Sequence, residues 1–401
     1  MISADRALRI ILKSLAPLGK EKVKIASAAG RVLAEDIVAS EPLPSFMNSS
    51  IDGFAVRAGD VASASRKKPV VLKVVGESGA GNPFDGDLKR GQIVQVMTGG
   101  MIPQGLDAVV PIEETDPGKD GSVRFHSPVE RGIYIRKPGE DIKKGEKVVR
   151  AGEMVTAPGV GVLASLGYTK VRVHTAPRVN IMATGDELVE FNDPVQAGQV
   201  RNSTSHILRA YVEEDGGIPN FVGIAPDRRK KIRRKIAEGL DCDLLLITGG
   251  ASIGKFDYVR RTLEDVGAEI LFWRVNIRPG QPLLFARVGT VPVFGLPGNP
   301  VSTIVTYLQF VRPALQILQG RTYRPPLRLH ALLDHEFTKT DGRRHYVRCI
   351  LERRDGVLRV SSAGVQNSNA MSSMLKANCL MIVPEKAKRI RKDAKVEVEL
   401  L

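Results

Sequence analysis

The sequence predicts a multidomain protein of class α/β plus β, with a doubly wound, mostly parallel α/β domain between β-rich parts. Three observations predict it. Between about 178 and 320, apolar strand-like runs alternate with amphipathic helical stretches. From about 42 to 150, Gly and Pro punctuate short β-branched runs. After Pro325-Pro326 short strands return. A chain of 401 residues has room for roughly two to four domains of ~150 residues.

The elements follow in order. Residues 3–16 read as a helix, with Ser3 as N-cap and Ala4, Leu8, Ile11, Leu12 and Leu15 at helical spacing; Pro17 and Gly19 stop it. Runs 70–75 and 93–97 read as strands of a β-rich region. In the alternating region, 178–183 is a strand, 203–214 a helix closed by Gly216-Gly217, 218–224 a strand and 227–240 a helix with Ile232, Ile236 and Leu240 on one side. The continuous apolar run 243–248 marks a strand buried on both faces. Runs 259–266, 269–275, 283–288 and 291–295 continue the theme, and 301–318 reads as one long helix. Runs 327–333, 345–351, 358–362, 379–384 and 396–400 predict a small all-β domain.

Composition excludes some classes. With 43% hydrophobic and 26% charged residues, the chain is neither disordered, collagen-like nor a coiled coil. The net charge of +15 leaves nucleic acid, an acidic lipid surface and a small anionic ligand open. Cys242, Cys349 and Cys379 lie too far apart for a zinc motif or a disulfide framework. The absence of a run of ~18 apolar residues and of a signal-peptide core predicts a soluble cytoplasmic protein. The basic run at 228–235 falls on the outer face of a predicted helix and lacks interleaved aromatics. It therefore reads as a solvated face, as does 386–395, and nucleic acid is not the expected partner.

Three loops follow predicted strands: Thr184-Gly185-Asp186-Glu187, Thr248-Gly249-Gly250-Ala251-Ser252 and Leu296-Pro297-Gly298-Asn299-Pro300-Val301-Ser302. Each alone reads as an ordinary βα turn. Together, at three strand ends of one sheet, they favour a phosphate-bearing ligand, because Gly lets backbone amides approach an anion and helix N-termini favour negative charge. None matches the P-loop or GxGxxG pattern. Asp186, Glu187, Asp227 and Asp257 accompany these loops, and oxygen donors of this kind suit Mg²⁺. Asp227 reads equally well as a helix N-cap. Arg274 and Arg278 read as oxyanion ligands or as surface charge. Loops 48–55, 97–103 and 136–142 read as turns that nothing in the composition places at the α/β site.

Taken together, the motifs resemble the molybdopterin molybdenumtransferase family, related to the C-terminal domain of gephyrin. The resemblance spans essentially the whole chain. It rests on Ser50-Ile51-Asp52-Gly53-Phe54-Ala55, Met97-Thr98-Gly99, Pro138-Gly139-Glu140-Asp141-Ile142, the three loops above, and Arg278-Pro279-Gly280. It implies the last step of molybdenum cofactor assembly, in which molybdate is inserted into adenylylated molybdopterin and AMP is released with Mg²⁺. It also implies a homodimer with no membrane partner, possible contact with other cofactor-assembly proteins, and an α/β domain that binds molybdopterin. Its four parts would be 1–44 with 143–176 (helical/linker), 45–142 (inserted β-rich), 177–322 (α/β) and 323–401 (β-barrel). The alternative of the same fold is a non-catalytic cofactor-binding scaffold.

Carried over by motif, the resemblance implies catalytic roles for Asp52, Thr98, Asp141, Glu187, Asp227, Asp257, Arg274 and Arg278. Thr184, Gly185, Gly249, Gly250, Ser252, Pro297, Gly298, Asn299, Pro300 and Ser302 would bind the pterin nucleotide. Asp186, Glu187, Asp227 and Asp257 would hold the metal. Arg274 and Arg278 stand where the family typically has Lys, Gln281 where a further Lys is common, Phe54 for Tyr and Thr204 for Asn.

Overall fold

The computed structural model describes residues 1–249 and 256–401, apart from the side chains of Phe256 and Asp257. It contains two compact units: Met1–Ala34 with Gly152–Thr156 and Val171–Leu401, and Glu35–Ala151 with Ala157–Lys170. Among the described residues no helix is long and apolar enough to cross a membrane.

The first unit is built on a six-stranded sheet. Its strands are β1 (Arg178–Thr184), β2 (Ile218–Ala225), β3 (Leu244–Gly249), β4 (Glu269–Trp273), β5 (Leu284–Val288) and β6 (Val291–Leu296). The spatial order is β2-β1-β3-β6-β5-β4. Strands β2, β1, β3 and β6 are parallel, whereas β5 is antiparallel to both neighbours. The reversal follows from chain length. Only Gly289 and Thr290 separate β5 from β6, and two residues close a hairpin but cannot make a parallel crossover. Gly289 takes φ +58° there, as the first position of a glycine-led hairpin turn requires.

Both sheet faces are buried, as the continuous apolar run of β3 requires. Leu244 and Leu246 pack with Val179, Ile181, Leu208 and Val212 on one face. Leu245 and Ile247 pack with Met182, Ile232, Ile236, Val259 and Leu263 on the other. The helices are α1 (Ser203–Glu214), α2 (Arg229–Gly239), α3 (Phe256–Asp265) and α4 (Pro300–Thr306). Asn180 is a buried polar residue in the middle of β1. Its Nδ2 donates to Gly239 O (2.9 Å), tying the end of α2 to the sheet, and its Oδ1 accepts from Asn220 Nδ2 (3.0 Å).

The predicted helix 301–318 is interrupted. After α4 a wide π turn covers Tyr307–Val311, and the helix resumes at Arg312–Leu318. Pro313 has no N–H to donate into the preceding turn, and widening that turn accommodates the loss. The insertion brings Tyr307 Oη (2.8 Å) and Arg312 Nε (2.9 Å), five residues apart, onto the same Asp215 Oδ2.

The C-terminal strands close a five-stranded barrel in the order Arg344–Arg354, Val357–Ser362, Arg328–Leu333, Lys395–Leu400, Cys379–Val383 and back to the first. Alternate residues fill it: Val347 and Cys349; Cys379, Met381 and Val383; Val396 and Val398. Burial pushes the Cys349 and Cys379 thiols up to about 12, which leaves them unreactive. Tyr346, Leu380 and Ile382 face outward and join the core of the α/β sheet.

The second unit holds its own six-stranded sheet, ordered Ala108–Pro111, Gly53–Val56, Gln92–Val96, Val70–Ser78, Ser122–Phe125 and Thr115–Pro117. Phe54 and Val56 pack on one face and Ala55, Val94 and Val96 on the other. A Cβ on Gly53 would lie 2.3 Å from Val110 O, so only glycine fits at the head of that strand.

The basic face of α2 is solvated, and its apolar stripe carries the packing. Ile232 and Ile236 are fully buried, while Arg233 is exposed. In urea unfolding, Ile236→Ala should cost about 2–5 kcal/mol, whereas Arg233→Ala should stay within about 0.5 kcal/mol.

Candidate active site at the carboxyl edge of the sheet

The chain enters the sheet at β1, moves to β2 on one side, then crosses to β3 on the other. The crevice between the carboxyl ends of β1 and β3 is thus the topological switch point, where open α/β sheets bind ligands. Register brings the three expected loops together there: Thr184 pairs with Gly249 and Thr248 with Leu296. Gly249 has φ +111°, and a Cβ on it would sit 2.0 Å from Thr184 O. A Cβ on Gly298 would sit 3.1 Å from Gly249 Cα. Three backbones therefore meet closely, with no room for a side chain at Gly249 and little at Gly298. Gly250 and Ser252, and the side chain of Asp257, lie outside the described residues.

Thr184 is buried, and its Oγ1 has no hydrogen-bond partner among the described residues. At Gly185 a Cβ would lie 2.8 Å from Glu187 Oε2, so the Glu187 carboxylate folds back over that backbone. Asp186 and Asp227 meet across the ends of β1 and β2, where Asp227 N donates to Asp186 Oδ1 (3.0 Å). Asp227 is not the helix cap: α2 starts at Arg229 with Arg228 at the cap position. Among the described residues no three His, Cys, Asp or Glu side chains form a metal-holding group.

The third loop is held from below and from the side. Thr248 Oγ1 donates to Pro297 O (3.3 Å), as does Thr303 Oγ1 (2.5 Å). Pro300 opens α4, and Ser302 is buried within it. Asn299 Nδ2 donates to Ser368 Oγ (3.0 Å), and Val301 N donates to Ser368 O (3.1 Å). One N–H of the helix N-terminus is thus satisfied by the barrel's 366–369 loop and is not open to a ligand.

That loop borders a cavity of about 680 Å³ between Asn299 and the barrel, lined by Arg278, Lys339, His345, Arg348, Gln366 and Asn369 among others, with no Asp or Glu in its lining among the described residues. Arg348 is only 1% exposed. Its neighbours Val347 and Cys349 fill the barrel, so strand alternation turns Arg348 to the opposite face. Its Nη2 donates to Val365 O (2.9 Å) and Asn367 O (3.0 Å), and its Nε to Ser373 Oγ (2.9 Å). Among the described residues it has no carboxylate partner. Burial pulls its pKa below the ordinary value without discharging it. Lys339 is also buried, its Nζ bonded to the carbonyls of Arg343 and Glu385, and burial lowers its pKa too.

Motif reading missed Arg348 and Lys339. The available signal was one charged residue inside the apolar strand run Tyr346-Val347-Arg348-Cys349-Ile350. Arg278 stands on the cavity wall and pairs with Asp341 (3.3 Å). Asp341 also accepts from Arg343 (2.6 Å) and lies 2.6 Å from His345 Nε2. Burial opposes its ionisation, but these bonds outweigh it and hold the carboxyl well below the usual range. Gln281, expected to leave the site one charge short, accepts from Arg343 Nη1 (3.1 Å), so a guanidinium stands beside it. Arg274 adopts φ +65°, an uncommon conformation for a residue with a long side chain, at a cost of order 1–3 kcal/mol.

In the second unit, pairing of Gly53 with Val96 places Asp52 beside Thr98. The Thr98 N–H (2.6 Å) and hydroxyl (2.7 Å) both donate to Asp52 Oδ1. These two bonds, the backbone one first, hold the exposed Asp52 carboxyl below the usual range. Asp141 stands on a separate exposed loop, anchored through its own N–H to Leu43 O (3.0 Å). Phe54 is buried edge-on against Phe125, at 6.4 Å between ring centroids.

Comparison with known proteins covers the whole chain. Residues 2–167 match the MoeA N-terminal region (domain I and II), 180–317 a probable molybdopterin binding domain, and 330–401 the MoeA C-terminal region (domain IV). The chain is 34% identical to a molybdopterin molybdenumtransferase of Haemophilus influenzae, across 100% of this chain and 98% of that protein. It is 35% identical to one of Bacillus subtilis, across 100% and 94%. A solved structure of the molybdopterin biosynthesis moeA protein from Pyrococcus horikoshii OT3 is 30% identical and covers 100% of both chains with a TM-score of 0.85.

Thr98→Val removes the hydroxyl bond to Asp52 but keeps the N–H bond. In a carboxyl NMR titration the Asp52 pKa should rise yet stay below that of an ordinary Asp; an unchanged value would show that the hydroxyl does not bear on its ionisation.

Proposed function

The chain belongs to the molybdopterin molybdenumtransferase family, transferases of molybdenum cofactor biosynthesis, and from that premise we propose that it inserts molybdate into adenylylated molybdopterin in the cytoplasm, with Mg²⁺-dependent release of AMP. The observation that carries this reading is the cavity beside Asn299. Among the described residues its lining holds Arg278, Lys339 and Arg348 and no carboxylate. A buried guanidinium without a counter-ion costs several kcal/mol, and an anionic substrate offsets that cost. Molybdate and the phosphates of the pterin nucleotide are such anions.

The remaining roles follow from position. The glycines at 185, 249 and 298 keep the main chain bare of side chains at the strand ends, where backbone N–H groups can meet a phosphate. Asp186 offers carboxylate oxygens at the strand ends, beside the Asp227 backbone. This fits Mg²⁺, which takes one or two carboxylates and completes its shell with substrate phosphates and water. When bound, the ion would offset charge on the phosphoanhydride. Glu187, on the same loop as Asp186, is a further candidate carboxylate. In the second unit, Asp52, held ionised by Thr98, and Asp141 are the candidate carboxylates. The protein would act as a homodimer.

Purified protein supplied with Mg²⁺, molybdate and adenylylated molybdopterin should release AMP. Asp52→Ala and Glu187→Ala should each reduce that release at least a hundredfold, in line with loss of a group acting in the transition state. Undiminished release in both would remove them from the mechanism. Static light scattering should give twice the mass of one chain, and a monomer at working concentration would overturn the dimer.

A further inference from the structure

The chain contains one tryptophan, Trp273, and it ends β4. Register aligns Trp273 with Leu284, Gly295, Ile247 and Met182, the row that closes the sheet just before the site loops. Trp273 lies two strands from β6, or about 10 Å at the usual strand spacing. Its indole packs on the second core cluster, and its Nε1–H is buried without a hydrogen-bond partner among the described residues.

Two guanidinium groups lie over this ring. The Cζ of Arg274 is 4.3 Å from the ring centroid and that of Arg260, from α3, is 4.6 Å. The Arg274 backbone is fixed as well: its N–H donates to Leu283 O (2.9 Å) and its carbonyl accepts from Ile2 N (3.1 Å). Unlike Arg278, which pairs with Asp341, Arg274 forms no ion pair among the described residues.

Stacking engages the flat face of a guanidinium and leaves its N–H edge open to a planar or tetrahedral oxyanion. A long side chain otherwise loses rotamer freedom on binding, and a stack already made removes part of that cost. We propose that Trp273 is a positioning residue that holds the Arg274 fork ready for an oxyanion, and that its indole senses the occupancy of that fork. This rests on the reading of Arg274 as an oxyanion ligand.

The test titrates molybdate alone into the full chain, read in parallel by calorimetry and by intrinsic tryptophan fluorescence. With a single indole, any emission change belongs to Trp273. Wild-type protein should bind molybdate with a change in emission. Trp273→Leu should weaken binding roughly 5- to 30-fold, the range of a partly desolvated cation–π contact, and Trp273→Phe should restore most of it. Equal affinity in the Leu variant, or calorimetric saturation of the wild type with unchanged emission, would overturn the positioning role and leave the cavity beside Asn299 as the anion site. Absence of any molybdate binding to the wild type by calorimetry would overturn that reading and this proposal together.

Discussion

The candidate site depends on how closely three backbones approach at one edge of one sheet. Gly249 lies against the Thr184 carbonyl at a separation that excludes a Cβ, and Gly298 lies against Gly249 with only tight room for one. That approach exists because β1, β3 and β6 are neighbours in parallel register, so their carboxyl ends are level. The consequences spread outward. The loop after β1 presents Asp186 to Asp227, and the loop after β6 carries Asn299 to Ser368 of the barrel. The same barrel loop supplies the carbonyls that hold Arg348. A side chain at Gly249 would push the strand ends apart.

Net charge alone said little about the partner, and the pairing pattern explains why. On α2, Arg229 meets Asp265, and Arg234 and Lys235 meet Glu238. In the barrel, Arg354 and Arg359 share Asp334. The exposed pairs on α2 contribute little to stability, and all of these pairs locally cancel the field. Arg348 is different because carbonyl and hydroxyl dipoles satisfy its hydrogen bonds and leave its charge uncompensated. Arg278 is intermediate, sharing Asp341 with Arg343 and His345.

Much of the architecture was legible from residue spacing. The six strands and their helices fall close to the positions that periodicity assigns, because both faces of the sheet demand apolar residues and the helices demand one apolar stripe. Three features were not. The wide turn at Tyr307–Val311 follows from Pro313, whose effect on the preceding turn is local but whose accommodation depends on Asp215 far away in sequence. Asp227 looked like a cap, yet the helix starts two residues later. Gln281 looked like a lost charge, yet Arg343, 62 positions on, stands beside it.

By itself the sequence determined the elements, the glycine-bearing strand ends and the family, because each is written in neighbouring residues: alternation, capping, turn chemistry and contiguous motifs. Tertiary structure alone decided which cations face a cavity and which are neutralised. Arg348 draws its partners from 17 to 25 residues away, and Asn299 finds Ser368 at a separation of 69. The physical reason is that a charge acquires its meaning from burial and from its nearest opposite charge, and both are set by chain segments that meet only after the sheet and the barrel have packed.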